Sequence, residues 1–342
     1  MSHDDDVFIP ARHIKSGHVM TLFTWARLRN FQKLPTPVSR YFDVADDARV
    51  LAHCYWQTNK QERPTLLALH GLEGSSDAHY MRGLADKAYR RGFNVVLLNQ
   101  RNCGGTEHLS SGLYHSGLSE DPREVINELI TLDHLKSVSV VGYSLGGNLA
   151  LRLAGDYGIE TPPEVSSFCA VSPTMDLAAC VDALERKSNL IYQWNFVRNL
   201  KKRMRRKARL MPGAFDLGKL SSVKTVREFD DAFTAPYHGF LDAADYYYRA
   251  SSLRVVKSIS VPTLIVTADD DPFIPTEQFR HPSVEANHMV RVIITHGGGH
   301  CGFFAGKNSD FDGYWAEQSA VKFSESNITI QPNKTDRTVI ET

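Results

Sequence analysis

No apolar run in this 342-residue chain approaches the roughly 20 residues a membrane-spanning helix needs. Excess charge of either sign is missing too: 39 basic residues face 39 acidic ones, so the total favours neither nucleic acid nor acidic lipid. Cysteines are scarce and odd in number. The five (Cys54, Cys103, Cys169, Cys180 and Cys301) form no C-x-x-C pair, which suits free or buried thiols in a reducing compartment better than a disulfide framework. The opening "MSHDDDVFIPARHIKSGHVM" is acidic and lacks the basic-then-apolar order of a secretory signal, so a cytoplasmic location is the expectation. "NQRNCGG" (99–105) has glycines but no Walker lysine and no G-x-G-x-x-G, which disfavours a nucleotide ligand.

What is present is a rhythm. Short β-branched, apolar runs at 65–70, 94–100, 137–144, 166–172, 262–271 and 289–296 read as buried strands. "RYFDVADDARVLAHCYW" before them reads as an antiparallel hairpin turning near Asp46–Asp47. Helical stretches lie between: 78–91, 122–136 with Asp121 as N-cap and Pro122 as first residue, and Leu145–Ala154. Strands alternating with helices predict an α/β architecture, a mostly parallel twisted sheet covered on both faces. The rhythm breaks over 175–250, a helical insertion placed where a lid over a site would sit. The whole chain, 1–342, reads as a single domain with an amino-terminal extension (1–40) and a loose polar tail (325–342).

"VVGYSLGGNLA" (140–150) carries the first chemical signal. Gly142, Ser144 and Gly146 give G-x-S-x-G between a strand and a helix, the setting of a nucleophile elbow. The pattern alone arises by chance in roughly one chain of this length in ten, so the context matters. The competing reading is a glycine-rich turn whose serine caps the helix.

A serine hydroxyl needs a base, and the base needs a third group to hold its tautomer. Two later strands end in "ADDDPFIP" and "HGGGHCGF", which supply acid and then histidine in the order Ser, Asp, His. Asp269, Asp270 and Asp271 compete for the orienting role. Asp271 is favoured because it precedes Pro272 and stands four residues before Pro275, and Asp270 is the alternative. His300, after Gly297–Gly299, is the expected base, with His296 the alternative. The acid triplet lacks a second ligand set, so a metal site is disfavoured. For the oxyanion, the expected donors are the backbone N–H groups of Leu145 and Leu72, the latter in "HGLEGSS". His70 reads as a structural hydrogen-bonding residue between loops.

Together these segments resemble the α/β-hydrolase superfamily, and within it the YheT-like esterase branch, over roughly residues 8–320. "SGHVMT", "HGLEGSS", "NQRNCGGTEHLSSGLYHSGLSED", "GYSLGGN", "FDDAFTAPYHGFLDAADYYYRASS", "DDPFIP" and "GGHCGF" carry the resemblance. It implies a Ser144–Asp271–His300 triad cleaving short- to medium-chain carboxylic esters, with no cofactor. The partner implied is a small-molecule acyl ester, while the oligomeric state stays open. Acyl transfer, thioester cleavage or non-catalytic acyl binding are the rival activities. Asn102 replaces the branch's glycine and tolerates positive φ; Cys301 replaces an aliphatic residue beside the base. The run "KKRMRRKAR" (201–209) reads first as the solvated face of a lid helix and second as a surface that attracts an acidic substrate or makes a peripheral membrane contact. Of Tyr246–Tyr248, at most two can face an acyl pocket.

Overall fold

The computed structural model describes residues 7–14, 16–307 and 311–328, and in it all eight strands form one sheet. α1 (Gly17–Ala26) precedes a hairpin of β1 (Val38–Ala45) and β2 (Ala48–Tyr55), which turns at Asp46–Asp47 as expected. β3 (Thr65–Leu69), α2 (His79–Arg90), β4 (Asn94–Leu98), α3 (Glu120–Thr131), β5 (Val138–Tyr143), α4 (Leu145–Tyr157) and β6 (Val165–Val171) then alternate. The strand order is β1-β2-β4-β3-β5-β6, continued by β7 (Thr263–Ala268) and β8 (Val290–Thr295). β3 to β8 pair in parallel, while β1 and β2 are antiparallel to their neighbours.

The central strands are apolar on both faces because both faces are covered. Leu67, Leu69, Val138, Val140, Phe168 and Ala170 point into one core with α3 and α4. Leu66, Ala68, Val141, Tyr143, Cys169 and Val171 point into the other, closed by α2 and the last helix, α11 (Trp315–Ser326). This alternation turns an unbroken apolar run into two cores, one on each side.

Between β6 and β7 the chain leaves the sheet for α5 (Leu177–Leu184), α6 (Leu190–Leu210), α7 (Val226–Phe229), a π-turn (Asp230–Thr234), α8 (Ala235–Tyr237) and α9 (Ala243–Ala250). Asn148 of α4, fully buried, staples the return of this insertion. Its Nδ2 donates to the carbonyls of Ser116 and Ala250 (both 3.0 Å), and its Oδ1 accepts from the N–H of Ser252 (2.8 Å). α10 (Pro282–Glu285) lies between β7 and β8. The amino-terminal segment is fastened through Arg29, whose buried guanidinium binds Asp312 and Glu317; Lys87 of α2 holds the same two carboxylates.

Some boundaries differ from expectation. α3 begins at Glu120, and Asp121 does not cap it: Arg101 takes both its carboxylate oxygens, at 2.6 and 2.7 Å. The helix also ends at Thr131 rather than 136. Glu325 and Ser326, expected in the polar tail, belong to α11; residues 329–342 of that expected tail lie outside the described part. Among the described residues, no helix is long and apolar enough to cross a membrane.

Candidate active site

β5 ends at Tyr143 and α4 begins at Leu145, leaving Ser144 alone in the turn. Its φ of 55° and ψ of −118° are unfavourable for a side-chain-bearing residue, a strain tolerated where the surroundings over-determine it. The glycines explain the tightness. A Cβ on Gly142 would stand 2.0 Å from the Gly146 carbonyl oxygen, and one on Gly146 would stand 2.4 Å from that of Leu69. The Ser144 hydroxyl does not cap α4, which removes the competing reading of the motif. It lies 2.9 Å from His300 Nε2.

His300 bridges two groups: its Nδ1 lies 2.9 Å from Asp271 Oδ2. The Asp271 carboxylate is wholly buried, and its Oδ1 accepts from the N–H groups of Phe273 (3.1 Å) and Ile274 (3.2 Å). Pro272 has no N–H, so the two amides that follow it close on the carboxylate. The carboxylate is therefore held on one side, with its other oxygen aimed at the imidazole. Burial disfavours the imidazolium, but the Cys301 sulfur and the Asp271 carboxylate outweigh that cost, and His300 titrates above an ordinary imidazole.

The two alternatives are engaged elsewhere. Asp270 accepts from the N–H of Gly299 (2.8 Å), shaping the loop that carries His300. Asp269 pairs with the exposed His296 at 2.8 Å and accepts from Gly297 N–H. All three acids serve this one loop, and Asp271 alone reaches His300.

The segment after β3 approaches from the other side. A Cβ on Gly71 would come within 3.1 Å of Ser144 Cβ, so a side chain there would press on the elbow. His70 is buried between loops, accepting from Gln100 N–H at Nε2 (3.1 Å), and burial lowers it to about 4. Leu72 and Leu145 border the same cavity as Ser144. Leu145 is the first residue of α4, so its N–H has no acceptor within the helix and sits at the positive end of the helix dipole.

That cavity holds about 980 Å³ of atom-free space, its mouth included. Its walls are largely apolar and come from the sheet side (Leu113, Leu145) and from the insertion (Val181, Phe196, Leu200, Phe229). Tyr246 and Tyr247 line it while Tyr248 is exposed, within the limit of two set by helical spacing.

The basic run at 201–209 is not one solvated face. Arg203 and Lys207 turn inward, where Arg203 meets Glu73 at 3.1 Å and Lys207 Nζ donates to the carbonyls of Glu107 and Ser110; Arg206 stays exposed and pairs with the buried Glu107 carboxylate. Glu73 follows Leu72, has a φ of 58°, and its N–H donates to the Tyr114 hydroxyl (3.2 Å), so α6 is tied to the turn presenting Leu72. Removing one member of a buried ion pair typically costs about 3–5 kcal/mol, and replacing both costs much less. Arg203→Met is therefore expected to lower the thermal midpoint by several degrees. Arg203→Met with Glu73→Gln should recover most of the loss; equal midpoints for wild type and single variant would show the pair to be uncoupled from stability.

Sequence reasoning did not assign two neighbours of the site. Thr21 Oγ1 accepts from the His300 N–H (2.8 Å) and donates to Gly17 O (2.7 Å), so α1 braces the histidine loop. Its signal was the "SGHVMT" element. The Phe273 ring packs 4.2 Å from the imidazole, and only the contact itself reveals that role. Asn102 has a φ of 63°, as expected for its turn, and Cys301 is partly exposed beside His300.

A strand–serine–helix elbow on a sheet of this order, with acid and histidine loops from β7 and β8, matches the α/β-hydrolase-fold family model over residues 64–307, and the chain belongs to that family. It is 35% identical over 302 residues to the Escherichia coli (strain K12) protein YheT, provisionally named an esterase, spanning 87% of each chain. This agrees with the YheT-like resemblance. A Mus musculus protein named phospholipase ABHD3 is 30% identical over 71% of this chain and 59% of its own length. The Saccharomyces cerevisiae medium-chain fatty acid ethyl ester synthase/esterase 2 is 27% identical over 76% of this chain and 61% of its own. Among solved structures, the Pyrococcus furiosus esterase Pf2001 shares the fold, with TM-score 0.57, 17% identity, and coverage of 89% of this chain and 98% of that one.

Proposed function

We propose that the protein is a serine carboxylic-ester hydrolase working through an acyl-enzyme. The observation that carries this reading is His300 standing 2.9 Å from both the Ser144 hydroxyl and the Asp271 carboxylate. Ser144 Oγ attacks the ester carbonyl carbon while His300 Nε2 takes its proton. The oxyanion accepts hydrogen bonds from the N–H groups of Leu145 and Leu72. The intermediate collapses, His300 returns the proton to the departing alcohol, and the acyl group stays on Ser144. Water, deprotonated by His300, then repeats the sequence and releases the acid. Asp271 holds the imidazole tautomer and stabilises each imidazolium. Residues 175–250 act as the lid whose apolar inner side receives the acyl chain.

The apolar walls favour short- to medium-chain acyl groups over charged ones. A panel of p-nitrophenyl esters of increasing length tests this: kcat/KM should rise with chain length to a maximum and then fall. A flat profile would count against the cavity as the acyl site. The yeast relative named as both synthase and esterase supports a second reading, in which an alcohol replaces water in the second half-reaction. Ester formation outrunning hydrolysis when ethanol is added would favour that reading.

A further inference from the structure

We propose that the outward face of α6, together with the adjoining face of α1, docks on a lipid bilayer that carries anionic headgroups. While the inner face of α6 is spent on Glu73 and backbone carbonyls, its outer face has a different composition. Along the exposed stripe the residues run Leu190, Ile191, Trp194 and then Arg198, Lys202, Arg205 and Arg209, at helical spacing. Trp194 is 60% exposed, and Arg198 lies over its ring at 4.8 Å. Among the described residues, none of these four cations meets a carboxylate. In a chain with equal numbers of basic and acidic residues, this is a local segregation of charge.

The apolar end of the stripe continues onto α1. His18 stacks on Tyr192 at 5.7 Å and is hydrogen-bonded to its hydroxyl (3.1 Å), so the two helices meet there. Beside that contact α1 exposes Val19, Leu22 and Trp25, the last 68% exposed, on a single face. Tyr192 packs on Phe273 (5.4 Å), which packs on His300, so this patch flanks the candidate site.

Exposed tryptophans and branched aliphatics next to unpaired cations are what an interfacial helix presents to a bilayer. The rings enter the headgroup boundary, the long basic side chains reach anionic phosphates, and no segment spans. A second copy of the chain is a poorer occupant, because a two-fold contact on this stripe would bring like charges together.

Cosedimentation with vesicles tests the proposal, using the full chain with Ser144→Ala so that catalysis plays no part. Binding is expected to phosphatidylcholine vesicles containing about 30 mol % phosphatidylserine, to be weak to phosphatidylcholine alone, and to fall with added salt. The variant Lys202→Glu, Arg205→Glu, Arg209→Glu should weaken it about tenfold or more, and Ile191→Ser, Trp194→Ser should weaken it comparably. Brominated lipid should quench wild-type tryptophan fluorescence more than that of Trp194→Phe. Unchanged circular dichroism and thermal midpoints confirm that these exposed changes leave the fold intact. The proposal is overturned if the chain ignores anionic vesicles, if the variants bind as the parent does, if both vesicle compositions bind equally, or if the patch mediates a dimer that the substitutions dissolve.

Discussion

Replacing Ser144 by alanine is expected to lower kcat for ester hydrolysis on the order of 10⁴-fold or more, with little change in stability. The size follows from what the hydroxyl alone supplies. Its Oγ makes no bond that caps α4, so its removal costs the helix nothing at that end. Among the described residues its one side-chain partner is His300 Nε2, and without it the imidazole has no nucleophile to activate. The donors at Leu72 and Leu145 and the apolar cavity remain, so substrate still binds and KM moves little. Replacing the hydroxyl by hydrogen at a φ of 55° adds no new strain, because Ser and Ala share the Cβ that the elbow already accommodates. A loss of only a few fold would mean that water attacks the ester directly or that another residue acts as nucleophile.

Asp271→Asn is expected to reduce kcat about 10³- to 10⁴-fold, whereas Asp270→Asn should cost far less. An asparagine at 271 can keep the Phe273 and Ile274 amides on its carbonyl, but it offers His300 an uncharged partner and destabilises the imidazolium. Asp270 accepts from the N–H of Gly299 and does not reach His300, so its loss loosens the loop without removing the charge next to the ring. The pH profile separates the two. Neutral His300 is the active form, and its surroundings hold it above the ordinary value of about 6.5. Wild-type kcat/KM should therefore climb with pH through a midpoint above that value. With the Asp271 charge gone the imidazolium is less favoured, so the midpoint shifts to lower pH; Asp270→Asn should leave it nearly in place. Identical profiles for both variants would contradict the assignment of Asp271.

Much of this architecture is legible along the chain, and the exceptions have physical causes. Strands buried on both faces announce themselves as largely apolar runs, which is why β3 to β7 stand out; β8, expected to be buried as well, is the edge strand of the sheet and is only half-buried. The elbow stands out because only glycine fits where a Cβ would meet a carbonyl at 2.0 to 2.4 Å. Asp271 is distinguishable from its neighbours because Pro272 dictates which amides follow. The start of α3 was obscured because Asp121, a good capping residue, is claimed by Arg101, twenty residues earlier in the chain. The division of the basic run was equally hidden. Helical period separates 198, 202, 205 and 209 from 203 and 207, but what the inner set meets, Glu73 and the 103–110 segment, lies far back along the chain. Thr21 escaped for the same reason, since its partner is the backbone of residue 300.

The most direct test of the account is the fate of a fluorophosphonate probe followed by mass spectrometry of the intact protein and its peptides. One adduct per chain, confined to the peptide containing Ser144 and missing in Ser144→Ala and strongly slowed in His300→Ala, is the predicted result. Stable labelling of Ser144→Ala at the wild-type rate, or an unlabelled but folded wild type, would contradict it.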